Sequence, residues 1–488
     1  MEITREFLHE MPKTDLHVHL DGSVRLETIL ELAEEQGVEL PNGANDEESL
    51  AKEIHMGEIC RDLNDYLKAF DVTLSVLQTE EALYRAAFEL AEDAAKENVK
   101  YMEVRYSPLL HTQNGLSFPV IVEAVAEGLR EAKRQYGIIT GQIICGIRHI
   151  TPESSLRLAE LCVAFKDKEV VAFDLAGAEV DNPPKDHKEA FYLIRNNNVN
   201  LTIHAGEAFG PESIHQAIHM CGADRIGHGV RLREDGDLLN YVNDHRIPLE
   251  ICLKSNVQTR ACKDYDSHPL PFYLSYGIRC TLNTDNRLIT DTSVTHEFEK
   301  AVEHFDLNIG DLRKLMINGF KSSFMPYRKT RTLTAKAVSE FDKLVNEYEQ
   351  KQGQKATTDP NIAQEIALQQ LSADARSPVA DISLDRYPPL TNREPSEEAR
   401  SRFAGDRSGP LTIQSAEAVA GEHEAERHEE IDRSDCRDID MMDGRPEDGL
   451  GPEGGKKPPE PVEETEATED AEDVAEDREE EPREKSAE

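Results

Sequence analysis

The chain has 488 residues, with 55 Lys and Arg against 96 Asp and Glu, a formal net charge of −41 at pH 7. That balance argues against general nucleic-acid binding, which needs clustered cations to neutralise phosphates, and no apolar run approaches the roughly 20 residues of a membrane span. Residues 351–488 hold 17 basic and 38 acidic side chains and only Tyr387 and Phe403 of the 28 aromatic residues, the composition of a disordered acidic tail on a globular body.

The N-terminus, MEITREFLHEMPKTD, has no apolar signal core, so secretion is not indicated. The first strand is TDLHVHL (14–20). Helical segments between 24 and 98, among them SVRLETILELAEEQG and EALYRAAFELAEDAAKEN, overfill one connection and predict extra helices near the mouth of the fold. The second strand, YMEVRYS (101–107), is followed by the helix SFPVIVEAVAEGLREAKRQYG. Six further strands are QIICGIR (142–148), VVAFDLA (170–176), LTIHAGE (201–207), RIGHG (225–229), PLEICLKSN (248–256) and RCTLNTD (279–285). From the second strand onward they start about 23 to 41 residues apart, the size of a βα unit. Eight such units predict an α/β fold, a closed parallel (β/α)8 TIM-type barrel.

A last helix, TAKAVSEFDKLVNEYEQKQ (334–352), is expected to complete the ring, giving a barrel domain over 1–351 and a tail over 352–488. Within the tail IAQEIALQQL (362–371) is a candidate short helix. Eight cysteines, never spaced C-x-x-C, are the pattern of reduced, mostly buried thiols in a cytoplasmic protein.

Polar residues gather where the strands end, and in a barrel those ends surround one mouth. His17 and His19 lie two apart and share a strand face. His204 and Asp285 end the fifth and eighth strands. Singly, each reads equally well as an ordinary strand-end residue; together they suit one Zn²⁺ per chain with a position left for water, which the ion would activate near neutral pH. Glu207 in HAGE and His228 in GHG supply a carboxyl group and an imidazole for acid–base work, although a solvated carboxylate and a packed loop histidine remain open readings. The absence of a Lys in DLAGAE favours one metal over two. No P-C-x-x-C pair exists, which excludes the zinc nucleobase deaminases that use one.

The segments TDLHVHLDGS, EVRYSP, DLAGAE, HAGE, IGHG, SNVQT and NTDN, in this order, resemble the adenosine deaminase branch of the adenosine/AMP deaminase family over about residues 10–350. The resemblance implies hydrolytic removal of the purine 6-amino group from a small-molecule nucleoside, adenosine or 2′-deoxyadenosine, by water. Inosine or 2′-deoxyinosine and ammonia would be the products. It implies that His17, His19, His204 and Asp285 are zinc ligands, with His19 also bordering the substrate. Glu207 would give a proton to purine N1, and His228 would orient the attacking water. Gly177 matches a backbone contact to N3 and Asp21 an acceptor for the ribose 5′-hydroxyl.

Asp21 bears on substrate: a carboxylate there would repel the phosphate of AMP, while a relative acting on free adenine carries Glu in the corresponding segment. The plainer reading is that Asp21 opens the turn to the first helix. One departure stands out. Many members have a second Asp after the metal ligand, facing purine N7, whereas this chain has Asn286, whose amide can donate to N7. Tyr66, Leu67 and Phe70 either roof the purine or pack the core. His55, His111 and His149 are read as loop or surface histidines, and Cys252 and Cys280 as packed thiols. An adenine deaminase, or a non-catalytic barrel with the tail as its interaction element, are the alternatives.

Overall fold

A computed structural model describes residues 2–351 apart from 56, 58, 59 and 167. The tail, its candidate helix at 362–371 and Cys436 lie outside the described residues. Strands form where apolar and β-branched residues cluster: β1 (Lys13–His19), β2 (Val99–Tyr106), β3 (Ile139–Ile147), β4 (Val170–Ala176), β5 (Asn200–Ala205), β6 (Arg225–His228), β7 (Leu249–Ile251) and β8 (Cys280–Leu282). Each pairs in parallel with its predecessor in the order β1 to β8. β1 meets the end of β8 through a parallel bridge between Val18 and Asp285, with His19 N–H donating to Asp285 O at 2.7 Å. The eight-stranded barrel expected from the sequence is therefore observed, its strands joined by helices. Among the described residues no helix is long and apolar enough to cross a membrane.

The connecting helices follow their local signals. Glu80–Lys96 begins at Thr79, whose hydroxyl accepts from Ala82 N–H, and Phe118–Tyr136 ends at Gly137 in the left-handed conformation, φ 75°. These two pack backbone against backbone at Gly128, where a Cβ would sit 2.3 Å from Tyr84 O. The extra helices after β1 are present as Leu26–Gln36, Glu47–Ile54, Leu63–Leu67 and Phe70–Val76.

Two expectations are corrected. The seventh strand stops at Ile251, and Leu253–Gln258 is a helix. β8 offers a register partner only as far as Leu282, so beyond Ile251 the backbone has no ladder and closes i→i−4 bonds, such as Asn256 N–H to Cys252 O at 2.8 Å. The last helix, Tyr327–Lys351, does not complete the ring. That place is taken by Ile309–Ser322, which lies so close to β1 that a Cβ on Gly319 would meet Thr14 Oγ1 at 2.1 Å. The last helix packs instead on the N-terminal helix Arg5–Glu10, with Phe341 and Tyr348 edge-on to Phe7 at 5.8 and 5.3 Å.

Inside the barrel an ionic ladder replaces part of the usual apolar filling. Arg225 donates to Glu103 Oε2 (2.6 Å) and Glu250 Oε1 (2.5 Å), while Arg105 donates to Glu250 Oε2 (2.9 Å) and Asp174 Oδ2 (3.0 Å). These five residues are 0–1 % exposed. Burying charge is costly unless lone pairs and protons are used, and here backbone groups meet most of the remainder: Phe324 N–H on Glu103, and Leu16 O and Ser322 O on the guanidiniums, with Arg105 Nε left without a partner. Removing one partner exposes the desolvation penalty of the others. Arg225→Met should therefore lower the unfolding free energy by about 3–5 kcal/mol in denaturant titration; a loss below about 1 kcal/mol would contradict this role.

Candidate active site

The ladder ends upward at two histidines. His17 Nδ1–H donates to Glu250 Oε2 at 2.8 Å and His204 Nδ1–H to Asp174 Oδ1 at 3.2 Å. A carboxylate can only accept, so each ring carries its proton on Nδ1 and turns the Nε2 lone pair to the mouth. Gly227 on β6 leaves room for this arrangement, since a Cβ there would lie 3.1 Å from His17 Cε1. Asp285, past the end of β8, takes a left-handed backbone, φ 61°, and aims its carboxylate inward. Its Oδ2 accepts from Ser255 Oγ at 2.6 Å, and its Oδ1 lies 3.4 Å from both His17 Nε2 and His19 Nε2. His19 Nε2 and His204 Nε2 are 3.2 Å apart.

Two readings of four ligands share this space. Donor atoms of His17, His204, His228 and Asp285 all fall within 4.8 Å of one another, and these four are buried. His19, expected as a ligand, stands at least as close to His204 and Asp285 as these distances require. His17 Nε2 is buried with no hydrogen-bond partner. His204, with its proton on Nδ1, turns an Nε2 lone pair toward His19 Nε2 at 3.2 Å, and an ion between the two rings would use both nitrogens. Atoms about 2.0–2.1 Å from a tetrahedral centre are roughly 3.3 Å apart, the spacing seen here. The donor set thus fits a metal.

Glu207 and His228 stand beside the cluster, with Glu207 Oε2 3.6 Å from His228 Nε2. Burial pushes the Glu207 carboxyl well above the ordinary range, and the carboxylates of Asp285 and Glu179 add to the shift, which favours the protonated form. Its loop is pinned by Glu179, whose carboxylate accepts from the N–H groups of Gly206, Glu207, Ala208 and Phe209 at 2.6–3.0 Å. Glu179 was not singled out from the sequence; its signal is the final E of DLAGAE, two residues past Gly177.

Asp21 is buried, its Oδ1 lacks a partner, and burial pushes its pKa up to about 7 against the pull of the Asp21 and Gly22 amides. The first helix after β1 begins at Leu26 with Arg25 as its cap, so Asp21 does not open it. Gly177 follows β4 with φ 100°, in contact distance of the His149 ring. Asn286 is buried; its Nδ2 donates to Tyr66 OH at 2.8 Å, which leaves one N–H for another acceptor, and its Oδ1 packs on Gly22. Tyr66 OH also meets Thr290 Oγ1 at 2.5 Å, and the Phe70 ring is 6.2 Å from that of His19. Tyr66 and Phe70 therefore border the cluster. His111 and His149, read as surface residues, are buried; His111 Nδ1 meets Leu77 O at 3.0 Å. Cys252 and Cys280 are buried free thiols, as expected.

Comparison with known proteins identifies the family. The family model described as adenosine deaminase matches residues 12–340. A protein of Mycobacterium avium (strain 104) named adenosine deaminase is 42% identical over 343 residues, 66% of this chain and 93% of that one. One from Dictyostelium discoideum named probable adenosine deaminase is 42% identical over 324 residues, and there the match spans 66% of this chain but only 42% of its relative. Among solved structures, the adenine deaminase from Arthrobacter aurescens superposes with a TM-score of 0.64 at 28% identity, over 68% of this chain and 99% of that one. With the family model matching about two thirds of the residues, the chain belongs to the adenosine deaminase family.

Proposed function

We propose that this chain is a zinc-dependent adenosine deaminase acting on adenosine and 2′-deoxyadenosine. The carrying observation is the joint placement of a metal-fitting donor set and a buried Glu207 carboxyl, its pKa pushed upward, at one barrel mouth. His17, His19, His204 and Asp285 would hold the ion. A cation would also offset the Asp285 carboxylate, which is buried and faces His17 and His19. When bound, zinc supplies Lewis-acid activation of water.

The remaining chemistry belongs to the chain's own groups. Glu207 gives its proton to purine N1 as water adds to C6, which withdraws electrons from C6 at the moment of attack. His228, beside it, orients the water. One proton of the added water goes to the amino group, which departs as ammonia, and the other returns to the Glu207 carboxylate, leaving inosine. Purine N1 and N7 lie on opposite sides of C6, and Glu207 and Asn286 follow β5 and β8. With N1 on Glu207, N7 would take the second N–H of Asn286. Gly177 would meet N3 through its backbone. Asp21 would take the ribose 5′-hydroxyl, a partner for its lone Oδ1 that free adenine cannot supply; its burial, with no cationic side chain acting on it among the described residues, disfavours a phosphate.

The structural relative that acts on adenine keeps the second reading, adenine deaminase, in view. Initial rates with adenosine, 2′-deoxyadenosine, adenine and AMP separate them: the nucleosides should turn over, and preferred turnover of adenine would overturn the assignment. We place the activity in residues 1–351, with 352–488 as an appended acidic segment that neither substrate nor metal needs. Seven buried free cysteines support a reducing, cytoplasmic setting.

Glu207→Gln should keep metal and nucleoside binding while lowering kcat by about two orders of magnitude or more, since an amide cannot give up the proton. A rate within about threefold of the parent would show that Glu207 does not carry the proton. A chain ending at residue 351, freed of metal by chelation and then reloaded, should lose its activity and regain it with one zinc bound. Activity that survives chelation would refute the metal requirement, and failure of the truncated chain to fold would refute the boundary.

A further inference from the structure

The His228 ring is held by a chain of hydrogen bonds that starts at a backbone amide. Leu270 N–H donates to His268 Nδ1 at 3.1 Å. A backbone N–H only donates, so His268 accepts at Nδ1 and carries its proton on Nε2; burial, with Arg233 nearby, lowers its pKa to about 3 and keeps it neutral. His268 Nε2–H then donates to Asn256 Oδ1 at 3.2 Å. The other end of that amide, Nδ2–H, donates to His228 Nδ1 at 2.9 Å. Turning Asn256 over would set its N–H against the His268 N–H, so the direction is fixed along the whole chain. His268 and Asn256 are 0 % exposed and His228 is 1 % exposed, which removes water as a substitute partner.

The end of the chain is determinate. With Nδ1 accepting, His228 keeps its one proton on Nε2, the atom that faces Glu207 Oε2 at 3.6 Å. The left-handed backbone at His228, φ 62°, is what turns the ring from the strand end toward the cluster. We propose that Asn256 and His268 are positioning residues that lock His228 as the Nε2–H tautomer, so that it meets the attacking oxygen as a hydrogen-bond donor and is not a ligand of the metal. The assignment of that oxygen rests on the deaminase reading above; the tautomer rests on the hydrogen bonds alone. A donor aimed where negative charge grows on oxygen stabilises the transition state more than the bound substrate, which is how such a group raises kcat. It also resolves the choice between His19 and His228: an Nε2 that bears a proton has no lone pair for an ion, and His19 completes the ligand set.

The test uses the full chain and reads the tautomer directly. In ¹⁵N-histidine spectra the His228 signals, assigned by their absence from His228→Gln, should show a neutral ring protonated at Nε2. Asn256→Asp is nearly isosteric but accepts only. It keeps the bond from His268 and takes a proton from His228 Nδ1, so it should shift the tautomer and lower kcat about a hundredfold, with KM changed by less than about threefold. His268→Gln keeps a donor toward Asn256 and should preserve both the tautomer and, within about fivefold, kcat. A native spectrum with the proton on Nδ1, an Asn256→Asp spectrum with no shift, or a shifted tautomer with kcat within about threefold of the parent would each overturn the proposal. Should Asn256→Asp not fold, the native spectrum and His268→Gln still decide. Absence of any deamination by the parent would instead sink the functional reading and leave the tautomer result standing.

Discussion

One carboxylate ties the barrel to its mouth. Glu250 accepts four donors, two on each oxygen: Thr202 Oγ1–H (2.8 Å) and Arg225 Nε–H (2.5 Å) on Oε1, Arg105 Nη2–H (2.9 Å) and His17 Nδ1–H (2.8 Å) on Oε2. Every lone-pair direction is used. Burial alone would raise its pKa, but the two guanidiniums outweigh it and hold the carboxyl well below the ordinary range. The consequence is mechanical as well as electrostatic. A carboxylate fixed by two arginines cannot rotate, so neither can the imidazole it orients.

The same logic extends around the mouth. Asp174 does for His204 what Glu250 does for His17, and the backbone of Asp285 sits in the left-handed region to complete the group. Glu179 fixes Glu207 through four amides, and Asn256 with His268 fixes His228. Apart from His19, each group at the centre is thus held by a residue that does not itself face the centre. That is the arrangement required when the reacting groups must be placed to within a fraction of an ångström. The short helices after β1 lie over this assembly through Tyr66 and Phe70, and the exposure of the His19 side chain, at 12%, shows how little of the cluster reaches water.

The sequence made the strands and the mouth legible for a simple reason: in a barrel the informative residues sit at strand ends, where apolar runs stop and polar ones begin. H-V-H, HAGE, GHG and NTD all mark such ends. What supports them was harder to see. Glu103, Arg105, Asp174, Arg225 and Glu250 are single charges inside apolar strands, each unremarked until the barrel closes and sets them face to face. Asn256 lay hidden for a different reason. PLEICLKSN reads as continuous strand, and only the loss of a pairing partner beyond Leu282 turns it into the helix that presents Asn256 to His228. His111 and His149, read as loop or surface residues, do lie in connections after β2 and β3, but both are buried.

The account stands or falls on whether the buried carboxylates orient the histidines for an ion. Glu250→Gln keeps the shape of the side chain but puts an amide where one oxygen takes two donors, so the His17 ring loses a fixed orientation. Zinc affinity measured on the full chain by competition with a chelator should fall about 10- to 100-fold in this variant. An affinity equal to that of the parent would mean that Glu250 only fills the barrel, and that the site at the mouth owes nothing to the ladder beneath it.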